Sequence, residues 1–144
     1  MEGYLYLLLD LLTLSFPLLR SFEHKVHFRQ YWRGLFSGIL VMGLVFLPWD
    51  VAFTAAGVWG FNERYLIGPD LFGLPLEEWL FFLVVPYACV FIHEVLRYFV
   101  PRDVLGAAGR PIALLLALLF LSVGLVTHDR AYTATTLLGT ALFL

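Results

Sequence analysis

Two adjacent glutamates, Glu77 and Glu78, open the long apolar stretch Leu76–Val100. Asp50 lies well into a second apolar stretch, and Asp10 interrupts a third. Carboxyl groups are costly beside hydrocarbon, and ionisable groups inside such segments are functional candidates by default. Burial disfavours the charged form, so an inward-facing acid stays available as a proton donor. Trp49, Trp59, Phe61, Tyr65 and Trp79 fall in the same part of the chain. An acid beside electron-rich rings suits one reaction type. An apolar alkene is protonated, aromatic faces hold the resulting cation, and a nearby carboxylate takes a proton back. The outcome is isomerisation or cyclisation without redox change, and water must be excluded.

The simpler reading of Glu77 and Glu78 is structural. Pro75 suits the first position of a helix, and acids in the first turn favour the positive end of the helix dipole. The two side chains are about 100° apart on a helix. They are therefore not expected to face one small cavity equally; one faces it, and the other faces the interface or orients its neighbour. Asp50 can equally end a span near the headgroups, and Pro48 before it is expected to kink the helix.

Other chemistries find little support. His93 and Glu94 read as interfacial, and His24 and His27 as solvated. No HExxH or CxxC spacing suggests a metal, and no GxGxxG or P-loop suggests a nucleotide or flavin, so no cofactor is expected. The single cysteine, Cys89, sits in an apolar run and offers no disulfide. The formal net charge of -2 leaves no basic patch for nucleic acid.

The acids must be positioned by membrane-spanning helices. Of the 144 residues, 61% are hydrophobic and only 14% charged, with a mean hydropathy of +0.86. A soluble domain needs far more polar surface. A bilayer crossing takes about 20 mostly apolar residues, and five candidates emerge: Tyr4–Leu19, Gly34–Gly57, Leu76–Val100, Pro111–Val126 and Ala131–Leu144. The expected fold is an all-α polytopic transmembrane helix bundle. The N-terminus lacks a basic region and a small-residue cleavage site, so it does not read as a cleaved signal.

Basic residues fix the expected orientation. Arg20, Lys25, Arg29 and Arg33 lie in the first loop, and Arg97, Arg102 and Arg110 in the third; the second and fourth hold only Arg64 and Arg130. This bias places the first and third loops in the cytoplasm and the N-terminus outside, in a multi-pass protein of the cell's inner (plasma) membrane. Asp50, Glu77 and Glu78 then gather near the outer leaflet. Asp10, six residues beyond Tyr4 and so about 9 Å along its helix, reaches the same depth.

The segment FLPWDVAFTAAGVWGFNERYLIG, followed by LPLEEWLFF, resembles the repeat unit of the small transmembrane lycopene cyclases. These are the heterodimeric or fused, non-flavin enzymes. Their Pro-x-Glu-Glu motif falls on Pro75, Glu77 and Glu78. Their Trp-Asp pair falls on Trp49 and Asp50, and their Gly-x-Trp-x-Phe-Asn segment on Gly57, Trp59, Phe61 and Asn62. The resemblance covers residues 1–100, one three-helix unit, and implies closure of lycopene's open ψ-ends to β-rings. On this reading Glu77, Glu78 and Asp50 are the catalytic candidates. Trp49, Trp59, Phe61, Asn62, Trp79, Phe81 and Phe82 are the candidate substrate-binding residues.

Family enzymes use two such units. Residues 101–144 hold two further spans that resemble the linking helices of a fused protein, with no second Pro-x-Glu-Glu. The expectation is a piece of a longer cyclase, or a subunit completed by a partner chain, in contact with membrane lipid. A competing reading is a non-catalytic membrane subunit that binds a polyene or quinone or scaffolds a pathway complex. A proton-conducting bundle fits less well, because the acids gather at one face and the last two spans are bare.

Overall fold

The computed structural model describes residues 2–100, 102 and 105–144. The chain divides into two compact units, residues 1–101 and 102–144.

The first unit holds three long helices, α1 (Leu5–Arg20), α2 (Trp32–Ala55) and α3 (Leu76–Phe99). With their 3₁₀ extensions, each is long and apolar enough to cross a membrane. Many of their large side chains face outward, such as Leu19 at 75% and Leu44 at 70% exposure. Lipid removes the usual reason to bury such residues, so the interior is sparse and the polar groups inside it carry disproportionate weight. Each helix contains one proline, Pro17, Pro48 or Pro86. α2 remains helical through Pro48.

α1 and α3 run in the same direction. Asp10 lies level with Glu77, and farther along Phe16 meets Phe91 edge-on, with ring centroids 6.4 Å apart. α2 runs antiparallel to α3: its start, Trp32, meets Tyr87, while Leu47 and Pro48 near its end lie level with Trp79.

The loop between α1 and α2 is less solvated than its charges suggest. Phe28 turns back into the bundle and is completely buried, packing edge-on against Tyr87 and Phe91 at 5.5 and 5.3 Å. A hydrogen-bond chain crosses beside it. Trp32 Nε1 donates to Tyr87 OH at 3.1 Å, Tyr87 OH and Ser21 Oγ are 2.6 Å apart, and Ser21 Oγ donates to the Pro17 carbonyl at 2.6 Å. Indole can only donate and a carbonyl can only accept. The direction is therefore fixed: Tyr87 donates to Ser21, and every member is satisfied. One chain of three bonds ties all three helices at the end of the unit away from the acids.

The loop between α2 and α3 is folded as well. It contains a 3₁₀ turn at Glu63–Tyr65 and a two-stranded antiparallel hairpin, β1 (Asp70–Leu71) with β2 (Leu74–Pro75), which an all-helical expectation did not include. The pairing is Asp70 with Pro75 and Leu71 with Leu74. The two turn residues, Phe72 and Gly73, both have positive φ, 55° and 80°, as tight hairpin turns require. Glycine accepts that geometry freely, whereas Phe72 does not. Pro75 closes β2 in an extended conformation (ψ 149°) and directly precedes the helix, so α3 begins at Leu76 rather than at the proline.

The second unit is a pair of packed helices, α4 (Gly109–Val126) and α5 (Ala131–Phe143). Close approach is set by Gly124, where an added methyl would sit 3.0 Å from the Leu138 side chain. α4, with the 3₁₀ turn before it, has the length of a crossing. The 13 residues of α5 rise only about 20 Å, less than a hydrocarbon core, so four spans rather than five have the required length among the described residues.

Replacing Tyr87 by Phe keeps the packing with Phe28 and removes the middle of the hydrogen-bond chain. The expected cost is about 1 kcal/mol, the scale of interhelical bonds in membranes. Thermal unfolding of the detergent-solubilised variant checks this, and an unchanged midpoint contradicts the structural role assigned to the chain.

Candidate functional site

The folded α2–α3 loop closes one end of the first unit, and the acids lie beneath it. Their anchoring begins with Glu77. Its Oε1 accepts a hydrogen bond from the Ile67 amide at 2.7 Å. It does not cap its own helix, whose first residues receive no side-chain cap. The first-turn position suits the helix dipole, but the side chain reaches sideways to the loop. Glu77 is only 3% exposed, and its second oxygen, Oε2, is buried without a partner. An unpaired buried carboxyl oxygen is expensive, so its persistence is a clue to use.

The loop is pinned at several further points. The Leu76 amide donates to the Pro69 carbonyl at 3.1 Å, and Trp79 Nε1 donates to the Leu71 carbonyl at 3.2 Å. On the α1 side Tyr65 meets Tyr6 edge-on at 6.1 Å, and Arg64 pairs with Glu2. Gly3 lies against the loop backbone, where a Cβ would be 3.4 Å from the Leu66 carbonyl oxygen. The Ile67 amide is thus held on a braced frame rather than on a free loop.

Below this frame, between α1 and α3, lies a cavity of about 370 Å³, within the usual range for small-molecule sites. Asp10, Glu77 and Glu78 contribute to its wall, as do Tyr6, Phe61 and Phe81. Both glutamates therefore border the same cavity, against the expectation that their 100° separation would divide them. The loop reaches across the gap and draws Glu77 in, while Glu78, less buried, borders the cavity from the next helical position. Asp10 is 8% exposed and interacts electrostatically with Glu77.

Asp50 forms a neighbouring cluster. It is 3% exposed, and its Oδ1 accepts from Trp59 Nε1 at 2.8 Å; the same N–H also reaches Thr54 Oγ1 at 3.0 Å. Asp50 Oδ2, like Glu77 Oε2, is buried without a partner. Trp49, Phe53 and Trp59 stack around it, with ring centroids 4.7 to 5.3 Å apart. Glu78 lies within electrostatic range of both Asp50 and Asp10 and so couples the two clusters.

The candidate binding residues separate by location. Phe61 and Phe81 border the acid cavity, and Trp49 and Trp59 belong to the Asp50 cluster. Trp79 and Phe82 lie on the opposite side of α3, in an apolar groove of about 380 Å³ against α2. Asn62 is exposed, and its Oδ1 accepts from the Arg64 amide, capping the 3₁₀ turn. Tyr6 and Leu66 border the cavity and were not singled out. Nothing in their local pattern marks them, because their place depends on the loop folding back over α1.

Long apolar helices around buried, mutually coupled carboxyl groups make this a multi-pass helical membrane protein with an intramembrane acid site. A family profile described as lycopene cyclase matches residues 3–96, and the chain belongs to that family. Similar curated proteins include bifunctional lycopene cyclase/phytoene synthases of three fungi. The Podospora anserina protein is 38% identical over 64 residues, covering 44% of this chain and 10% of the relative. The Aspergillus oryzae protein is 28% identical over 102 residues, covering 68% and 17%. The Neurospora crassa protein is 29% identical over 86 residues, covering 58% and 12%. The matched part thus spans between 10% and 17% of the length of these relatives. No solved structure matches the chain.

Trp59→Phe keeps a ring in the aromatic cluster and removes the donor to Asp50. With the indole donor to this buried carboxyl gone, stability is expected to fall by about 1–3 kcal/mol. Denaturation of the purified variant in detergent measures this; a Trp59→Phe protein as stable as the parent shows that Asp50 does not depend on the indole.

Proposed function

We propose that this chain is a lycopene β-cyclase, or one half of one: an intramolecular lyase of the isomerase type that closes lycopene's ψ-ends to β-rings, giving β-carotene by way of γ-carotene. The observation that carries this reading is Glu77: a buried carboxyl, oriented by a backbone amide, with one bare oxygen, in the wall of an apolar, aromatic-lined cavity.

The chemistry follows from that geometry. Asp10, Asp50, Glu77 and Glu78 crowd one end of a hydrocarbon-embedded bundle. The reaction needs one of these carboxyl groups to carry a proton when the substrate enters. The Glu77 carboxyl is the group from which it is delivered. The Ile67 amide fixes the carboxyl plane, and the bare oxygen has no competing acceptor. The O–H bond breaks and a C–H bond forms at the terminal alkene, leaving a tertiary cation. The next double bond of the chain attacks it and closes the ring. Phe61 and Phe81 offer their faces to the positive charge. The braced outer loop and the lipid keep water from trapping the cation. Glu78, less buried and coupled to both clusters, reloads the donor; Asp50, held by Trp59, supports it electrostatically. The cycle needs no redox cofactor.

A second repeat unit, in a longer chain or in a partner protein, completes the enzyme, as the resemblance to two-unit cyclases implies; the curated relatives are themselves much longer, fused proteins. The alternation of basic loops supports residence in the plasma membrane with the N-terminus outside.

In lycopene-accumulating cells, Glu77→Gln preserves an acceptor for Ile67 and has no proton to give. Ring formation is expected to drop by about a hundredfold or more, the usual weight of a general acid, while the variant still inserts. Pigment chromatography reads the result, with the chain expressed alone and together with a second-unit chain. Normal ring formation by Glu77→Gln refutes the donor assignment. Unchanged lycopene from the parent in both settings favours a non-catalytic subunit.

A further inference from the structure

A proton-initiated cyclisation also needs a base. After ring closure the cation must lose a proton from a carbon beside it, and the choice of carbon sets the position of the new double bond. The general base must approach a different part of the substrate from the donor, since proton entry and proton loss occur at different carbons.

Asp10 meets these requirements. It borders the cavity from α1, whereas both glutamates belong to α3, so the cavity has carboxyl groups on two separate walls. It is 8% exposed in the middle of an otherwise apolar helix, a costly position that packing alone does not explain. It shares the cavity wall with Glu77, the donor. Asp10 is itself more than nine-tenths buried and lines an apolar cavity of small-molecule size, which marks the space as a ligand site rather than a mere gathering of acids. The Pro-x-Glu-Glu motif does not include Asp10.

We propose that Asp10 is the catalytic base that takes the proton from the cyclised cation and thereby selects the ring type, an inference that rests on the cyclase reading above. The C–H electron pair becomes the ring double bond, and the proton passes to the Asp10 carboxylate. Glu77 has by then lost one proton and Asp10 has gained one. A single transfer from Asp10 to Glu77, directly or by way of Glu78, restores the starting state. Nothing is oxidised or reduced.

The test uses lycopene-accumulating cells expressing parent, Asp10→Asn, Asp10→Glu or Glu77→Gln, in whichever setting gives rings with the parent. Immunoblots of the membrane fraction normalise the pigments. Asp10→Asn is expected to lower β-ring yield by about a hundredfold, or to spread the product over the other double-bond positions and water-trapped alcohols. Asp10→Glu, which keeps a carboxylate but moves it within the cavity, is expected to retain ring closure with an altered ring-type ratio. If Asp10→Asn fails to insert, Asp10→Glu is read alone. Parent yield and parent ring distribution in the inserted Asp10 variants, with Glu77→Gln inactive, overturn the assignment of Asp10 and leave the cyclase reading standing. No rings from the parent in any setting overturn both.

Discussion

A carboxyl group placed in hydrocarbon must be paired, neutralised or used. Glu77 satisfies one oxygen with the Ile67 amide, leaves the other buried without a partner, and borders an apolar cavity. That one hydrogen bond depends on much of this end of the unit. The amide is in place only because the α2–α3 loop folds into a hairpin and a 3₁₀ turn. These in turn are pinned to α3 through Trp79 and Leu71 and to α1 through Tyr65 and Tyr6. Removing the brace frees the carboxyl to rotate, and the proposed proton donor loses its orientation.

The opposite end of the unit is built for rigidity. Phe28, Tyr87 and Phe91 pack edge-on, and the chain from Trp32 through Tyr87 and Ser21 to the Pro17 carbonyl is saturated with no proton to spare. The contrast between the ends is physical. Among the described residues the hydrogen-bond chain through Tyr87 is fully partnered, whereas Asp50 and Glu77 each keep one buried oxygen without a partner. Satisfied networks hold structure, and unsatisfied groups in a cavity are where chemistry is expected. A firm base lets α1 and α3 hold Asp10 and the glutamates at constant separation, as proton transfer requires.

Much of this was legible in the residues. Helix positions followed from apolar run lengths, because the bilayer imposes a length on each crossing, and all three long helices of the first unit lie within a few residues of expectation. That Asp10, Asp50 and the glutamates share one end followed from the alternation of basic loops. The hairpin was not legible: two-residue strands leave no periodic pattern, and Phe72 occupies a positive-φ position that favours glycine. Nor was the convergence of both glutamates on one cavity, because helical geometry alone separates them and only a loop amide ten residues earlier brings Glu77 across. Trp79 and Phe82, neighbours of the acids in sequence, face the α2 groove instead, since a helix turns them away from the wall that Phe81 occupies.

The central claim is that the Glu77 carboxyl, held by the Ile67 amide, meets a hydrocarbon substrate in this cavity. Infrared spectroscopy of the purified protein in lipid tests it most directly, because the carboxyl bands report the surroundings of each acid. The account predicts a carboxyl band that disappears in Glu77→Gln and shifts when lycopene fills the cavity. A spectrum unchanged by lycopene, and identical in parent and variant, would contradict it.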